Sequence, residues 1–391
     1  AGGDKGSGDA VIVAGVMSGT SADGINVALV RFQTRRGASG KPALIGHAEY
    51  PYAVNIRRAV LAAMNAQSAS VADLSRLNFL LGELYADAVL ATQKRFRVKA
   101  DLVGCHGQTI YHQGESAPYL GRTVAVTWQT GEGAVVAARV GAPCVSDFRP
   151  ADMAVGGKGA PLVPFLDYLF YRDSRVGRIV QNIGGIANLT AIPAGAGPEK
   201  VIAFDTGPGN MVIDAVMERL FGKRFDRGGR VAASGTVDDG AIAKLMRTPF
   251  FREKPPKTAG REEFGREFVA KFVRLCGRTN KANVAATATA FTVRSIADAV
   301  QRFVLRRARF AEMVVSGGGA KNPTLMGMLA NELSTLGVAL RTSDEFGIPA
   351  EAKEAVAFAL MAYETWHRRP SNVPSATGAK RSAVLGKISY V

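Results

Sequence analysis

Val201-Ile202-Ala203-Phe204-Asp205-Thr206-Gly207-Pro208-Gly209-Asn210 is the stretch that decides the fold class. An apolar run of strand length ends on a carboxylate, and a glycine-rich turn opens into Met211–Phe221, whose apolar positions repeat at helical spacing. A carboxylate at the C-terminal end of a strand, ahead of such a turn, sits where open α/β sheets bind ligands. There Asp205 can take a proton from a sugar hydroxyl or from water. The amides of Gly207, Gly209 and Asn210, at the start of the helix, can hold anionic oxygens. Asp is also a common turn or cap residue. That alternative accounts for Asp205 and one glycine, not for the whole cluster.

Working outward, Ile179 to Thr190 reads as strand, Gly184-Gly185 turn, strand, and Val201 to Phe204 is a third strand. The chain opens on the same theme. Ala10 to Ala14 and Ile25 to Phe32 flank a tip from Gly15 to Gly24, and Ala43 to Tyr50 adds a third strand. Arg57 to Met64 and Val71 to Phe96 have helical spacing, and Leu102 to Cys105 reads as a buried strand ending at His106-Gly107-Gln108-Thr109. Gly131 to Val140 reads as a helix, Ser146 to Gly159 as a long polar loop, and Leu162 to Tyr171 as an apolar helix. Met313 to Val315 is a strand feeding Ser316-Gly317-Gly318-Gly319-Ala320-Lys321-Asn322. Glu354 to Trp366 is a helix, and Ala383 to Val391 is short and strand-like. Strands alternating with helices make an α/β protein, here with the architecture duplicated and the residues not.

A chain of 391 residues exceeds the roughly 250–300 at which single cores stop growing, so two lobes are expected. The net charge of +16 is spread along the chain. It reads as solvated basic faces, or as a field attracting an anionic nucleotide or sugar acid. Clustered Arg and Lys with interleaved aromatics are missing, which argues against a nucleic-acid partner. No run of 18 apolar residues marks a membrane span. Residues 1–9, rich in Gly and Asp, read as a disordered leader without a secretory core. Cys105, Cys144 and Cys276 have no CxxC spacing and read as buried thiols of a reducing, cytoplasmic compartment.

Five places could carry chemistry. At the first tip, Gly15, Ser18, Gly19 and Thr20 let backbone amides and hydroxyls approach a phosphate, and Asp23 offers a carboxylate to hydrated Mg²⁺; a plain tight turn is the alternative. Asp205 and its turn come next. Gly317, Gly318 and Gly319 could form a flat seat for an adenine or ribose, with Asn322 bonding to it; a flexible linker is the alternative. His106 is a plausible substrate ligand through its ring N–H or a satisfied structural residue, and Arg149 suits a substrate carboxylate or an internal pair with Asp152. Glu354 either favours the dipole at its helix start or completes a Mg²⁺ shell. P-loop and Rossmann signatures are both missing, so a nucleotide must use the three separated glycine turns.

These motifs, in this order from Val11 to Ile388, resemble the anhydro-N-acetylmuramic acid kinases, a family that also contains levoglucosan kinases. The residues that carry the resemblance are Gly15 to Gly24, His106 to Thr109, Asp147 to Leu162, Asn182 to Gly185, Asp205 to Asn210 and Ser316 to Gly319. It implies the two-lobed actin-like, hexokinase-like ATPase fold, with RNase-H-like lobes around an ATP cleft. The expected lobes are 10–170 plus 357–391, and 171–356. It further implies that ATP phosphorylates the sugar O6 while water, activated by Asp205, opens the 1,6-anhydro ring. The product is then N-acetylmuramic acid 6-phosphate, a step of cell-wall recycling. By the same resemblance Asp23, Asp205 and Glu354 organise Mg²⁺. Gly15, Ser18, Gly19, Thr20, Gly184, Gly185, Gly207, Gly209 and Asn210 hold phosphates, while Gly317 to Gly319 and Asn322 face the adenosine. His106, Gln108, Thr109, Arg149 and Asp152 line the sugar pocket, and the molecule is a homodimer. Lys158, where the family more often has Gln, and Gln129-Thr130-Gly131-Glu132 depart from its pattern and bear on substrate choice. Two alternatives stand beside this expectation: a levoglucosan kinase giving glucose 6-phosphate, and a non-catalytic actin-like nucleotide-binding regulator.

Overall fold

Alternating apolar runs and glycine turns fold into two central sheets flanked by helices. The computed structural model describes residues 10–19, 21–35, 38–39, 42–347 and 349–391. The leader at 1–9 and Thr20 of the first tip lie outside the described residues. The chain starts with β1 (Ala10–Ser18), β2 (Gly24–Arg35) and β3 (Ala43–Pro51), followed by α1 (Val54–Ala63) and α2 (Val71–Phe96). Next come β4 (Leu102–Tyr119), β5 (Arg122–Thr130), α3 (Gly133–Val140), β6 (Cys144–Ser146), α4 (Phe148–Ala154) and α5 (Pro164–Tyr171). The second half holds β7 (Arg178–Ile183), β8 (Ile186–Ile192), β9 (Ile202–Pro208), α6 (Met211–Phe221), α7 (Arg266–Leu275) and α8 (Lys281–Ala299). It continues through β10 (Glu312–Ser316), α9 (Pro323–Thr335) and β11 (Ala339–Thr342), and the chain ends with α10 (Lys353–Trp366) and β12 (Lys387–Ser389).

Two compact units result, residues 1–170 with 351–391, and residues 171–350. The chain returns to the first unit at Glu351, earlier than the 357 expected from the sequence. All of α10 therefore belongs to the first unit, because one face of that helix lies on β1 and β4. Each sheet has the same plan. In the first, β2 pairs antiparallel with both β1 and β3, while β1 pairs parallel with β4 and β4 with β6; β12 closes the edge antiparallel. In the second, β7, β8 and β9 are antiparallel neighbours, and β10 joins parallel to β7 with β11 beyond it. The second sheet runs β9-β8-β7-β10-β11, and the first follows the same path as β3-β2-β1-β4-β6, with β12 beyond β6 and the hairpin strand β5 added on β4. That is the RNase-H-like arrangement, and it is present twice.

Two expectations are corrected. The strand from Leu102 does not end near Cys105 but runs on to Tyr119, where Leu120 and Gly121, both at positive φ, turn it back as β5. The polar loop expected from Ser146 to Gly159 contains α4, which buries Phe148 and Asp152, four residues apart on one face. A buried carboxylate at that position hides the helix from any apolar-periodicity signal. α8 is likewise invisible to periodicity, since Ala and Thr line it all round and most of it is buried.

Candidate functional site

The two units place their functional side chains differently, so each is built separately. In the first, α10 crosses the sheet where two glycines admit it. A Cβ at Gly15 would overlap the Ala355 carbonyl oxygen, and one at Gly104 would overlap that of Phe358. Gly15, expected in a phosphate turn, thus lies within β1 and serves this helix-on-strand contact. The strand end beyond it is turned inward. Ser18 Oγ donates to Gln108 Oε1 at 2.7 Å and accepts from Tyr52 Oη at 2.9 Å, while Gln108 Nε2 donates to the Gly19 carbonyl at 3.2 Å. Both side chains are buried and occupied with one another, so neither is offered to a ligand in this geometry. Gly19 itself is open, with the Ser21 side chain as the nearest neighbour to its missing Cβ. Half-buried Thr109 accepts from Gln129 Nε2 at 3.3 Å.

His106 is buried with both ring nitrogens engaged, Nδ1 at 2.8 Å from the Gly107 carbonyl and Nε2 at 3.0 Å from Arg149 Nε. The first contact requires a proton on Nδ1 and the second a lone pair on Nε2, so the ring is neutral. Burial, with the nearby Arg149 charge, holds its pKa well below the usual histidine value. His106 therefore meets Arg149 in this structure, the satisfied structural alternative of the sequence reading, with both ring nitrogens engaged. Arg149 gives a second bond from Nη1 to the Gly159 carbonyl at 2.8 Å, and among the described residues Nη2 has no acceptor. Burial pushes the guanidinium pKa down to about 10, and Glu354 pulls it back up. The expected alternative, an Arg149–Asp152 ion pair, does not form. Asp152 accepts instead from the Gly159 amide, Asn372 Nδ2 and Thr377 Oγ1, at 2.9, 2.7 and 2.8 Å. That buried carboxylate ties the 156–159 loop to the C-terminal segment, and the sugar-pocket role expected for it gives way to this structural one.

Asp23 is exposed and pairs with Arg57 at 3.3 Å. Glu354 stands in the first turn of α10, where the protein around its carboxyl raises the pKa by desolvation and the charges of Arg149 and Lys353 draw it back. Among the described residues no three His, Cys, Asp or Glu side chains gather to hold a metal ion. An Mg²⁺ that keeps most of its waters and is held mainly by nucleotide phosphates needs only one or two carboxylates.

In the second unit the glycine turns converge. The amides of Gly209, Asn210 and Met211 donate to the Gly185, Gly184 and Gly185 carbonyls at 2.8, 2.7 and 3.0 Å. A Cβ at Gly209 would overlap the Gly184 carbonyl oxygen. Gly317, at φ 86°, lies against Asn182 and Ile183, and the missing Cβ of Gly318 is 3.6 Å from Asn210 Nδ2. The β7–β8 tip, the α6 start and the turn after β10 therefore form one backbone-lined surface. Asn322 is not free to meet a nucleoside through its oxygen, because Oδ1 caps α9 by accepting from Leu325 N at 3.1 Å.

Asp205 lies at the edge of this surface, at a register shift of β9. Its Oδ2 accepts from the Ala259 amide at 2.7 Å, and its own amide donates to the Lys257 carbonyl at 3.0 Å. Burial raises the carboxyl to about 6; the Ala259 bond opposes this, Glu263 adds to it and Lys257 reduces it. A carboxylate poised near neutrality is suited to taking a proton. Lys257 and Ala259 were missed by sequence reasoning, since nothing in Pro255-Pro256-Lys257-Thr258-Ala259 ties it to a strand more than fifty positions upstream. Asp214 was also missed. It is half-buried on α6, with a carboxyl pushed up to about 6 by burial, and it lines a groove of about 1180 Å³ with Gly185 and Met211.

Two units with RNase-H-like strand order, one of them gathering three glycine turns near Asp205, are the architecture of the actin-like ATPases. The model of the anhydro-N-acetylmuramic acid kinase family matches residues 11–391. The anhydro-N-acetylmuramic acid kinases of Bacillus cereus (strain AH187) and Bacillus thuringiensis subsp. konkukian (strain 97-27) are each 44% identical over 381 residues, covering 97% of this chain and 99% of the relative. The chain belongs to the anhydro-N-acetylmuramic acid kinase family and is an ATP-dependent sugar kinase. Among solved structures, the (R)-2-hydroxyglutaryl-CoA dehydratase component A of Acidaminococcus fermentans aligns with a TM-score of 0.43 at 14% identity, covering 90% of this chain and 98% of that one. No helix among the described residues is long and apolar enough to cross a membrane.

Proposed function

We propose that this kinase converts 1,6-anhydro-N-acetylmuramic acid to N-acetylmuramic acid 6-phosphate, a cytoplasmic step of cell-wall recycling. Water adds its oxygen to the anomeric carbon and gives a proton to Asp205. The bond from that carbon to O6 breaks, and O6 takes the γ-phosphoryl group of ATP, releasing ADP. Asp205 carries this reading. Its Oδ2 is fixed by an amide at 2.7 Å, Oδ1 has no donor among the described residues, and burial raises its pKa to about 6.

The gathered turns at Gly184-Gly185, Gly207 to Asn210 and Gly317 to Gly319 supply a surface free of side chains on which the nucleotide can lie; the Gly209 and Asn210 amides, expected from the sequence to hold anionic oxygens, are instead spent on the Gly185 and Gly184 carbonyls. Mg²⁺ bound with the nucleotide would neutralise phosphate charge; Asp205 in the second unit is a carboxylate that would meet its waters, and Asp23 and Glu354 in the first unit are kept as further candidates. Arg149 decides between the two sugar branches. Among the described residues it has no ion pair, and its free Nη2 suits the lactyl carboxylate of the amino sugar acid, which levoglucosan lacks. ATP turnover with both sugars, side by side, tests this. Preference for the amino sugar acid supports the recycling role; preference for levoglucosan moves the biology to sugar scavenging.

A further inference from the structure

A buried ammonium group is the least expected feature of the second unit. Lys257 is 4% exposed, and Nζ donates to the Phe250 carbonyl at 2.9 Å while lying 4.3 Å from the centre of the Phe250 ring and 5.2 Å from that of Phe303. Among the described residues no carboxylate lies within ion-pair distance of it. Asp298, Glu253 and Asp205 act on it from farther away, and so does the like charge of Arg302. An ammonium held only by a carbonyl and two rings is poorly compensated for its lost hydration, so its presence is not explained by stability. Its neighbours in the chain are more telling. The Lys257 carbonyl accepts from the Asp205 amide at 3.0 Å, and the Ala259 amide donates to Asp205 Oδ2 at 2.7 Å. One loop thus grips Asp205 at both its backbone and its carboxylate, and Lys257 ties this loop to Phe250 and Phe303, the first of which packs edge-on against Phe251 and Phe264.

We infer that Lys257 is a positioning residue for Asp205, anchoring residues 257–259 so that the Ala259 amide fixes one carboxylate oxygen and leaves the other to the reacting water. The inference rests on the base role proposed for Asp205. A misplacement of about 1 Å in a reacting group lowers turnover roughly 100-fold. Replacement of a poorly paired buried charge by an apolar side chain of similar length is neutral or stabilising.

The test is a double-mutant cycle on the purified kinase with Mg-ATP and the anhydro sugar, following kcat, KM and Tm. Lys257→Met is expected to hold or raise Tm, to leave both KM values within about threefold, and to lower kcat roughly 10- to 100-fold. In the Asp205→Asn background it is expected to cause no further loss, since the lysine acts through the aspartate. Unchanged kcat in Lys257→Met beside an inactive Asp205→Asn overturns the inference and leaves the base role standing. A further loss of equal size in the double variant also overturns it, by showing action independent of Asp205. Near-normal turnover in Asp205→Asn removes the base role and the inference together. If Lys257→Met does not fold, Lys257→Arg keeps the charge and moves its donors. A fall in kcat at constant KM then supports the positioning role, and an unchanged kcat overturns it.

Discussion

The two units share one strand order and use it in opposite ways. At the end of β1 the polar side chains turn inward, so that Ser18, Tyr52 and Gln108 satisfy one another in the core. At the register shift within β9 the carboxylate of Asp205 has one oxygen with no donor among the described residues, and the surrounding turns present backbone in place of side chains. Glycine differs in the same way. In the first unit Gly15 and Gly104 let a helix backbone lie against the sheet; in the second, Gly209 lets one turn lie against another. Strand order alone does not say which end does chemistry. What separates them is whether the polar groups at the strand ends are already paired.

The sharpest way to break this contrast is Asp205→Asn. Turnover is expected to fall about 100- to 10,000-fold with nucleotide affinity within a few-fold of the parent, measured by coupled assay and calorimetry. Loss of nucleotide affinity at unchanged chemistry would instead make Asp205 part of the nucleotide seat. On the first unit, Arg149→Ala is expected to lower kcat/KM for the amino sugar acid by about 10- to 100-fold more than for levoglucosan. Equal losses would mean that the arginine serves the fold and not the substrate carboxylate.

The pH profile sharpens the picture of Asp205. Its pKa is raised to about 6, and the base must be ionised, so kcat/KM is expected to level off above pH 6 and to fall tenfold per unit below it. An acid limb that persists unchanged in other carboxylate variants and moves only when the Ala259 contact is perturbed would assign it to this group. The smallest effect is on stability. Gly15→Ala is expected to lower stability by about 1–3 kcal/mol through its clash with Ala355, read as a drop in Tm. An unchanged Tm with lost ATP binding would restore Gly15 to a phosphate turn.

Much of the plan was legible before folding. The strand, glycine turn, strand pattern occurs at Ala10 to Phe32 and again at Ile179 to Thr190, and both became the antiparallel hairpins that open each sheet. Asp205 was legible because a carboxylate between an apolar run and a glycine turn has few purely structural uses. β5 was not, since half-exposed residues such as Val126 and Trp128 have no core to mark them. Asp152 misled because a carboxylate reads as a ligand until its partners, Asn372 and Thr377, arrive from far along the chain.

Local sequence therefore determined where the chain turns, which strands pair first, and which aspartate lies beside the glycine turn, whereas the strand itself runs past Asp205 to Pro208. These follow from the spacing of apolar residues and from the backbone freedom of glycine, both properties of a few neighbouring residues. Only tertiary structure decided which polar groups are spent and which are free. His106 lost its ring nitrogens to Gly107 and Arg149, Asn322 lost its oxygen to a helix cap, and Asp205 was held by a loop that begins around Glu253. A hydrogen bond is made once its partner is within reach, and that partner is set by packing across the unit.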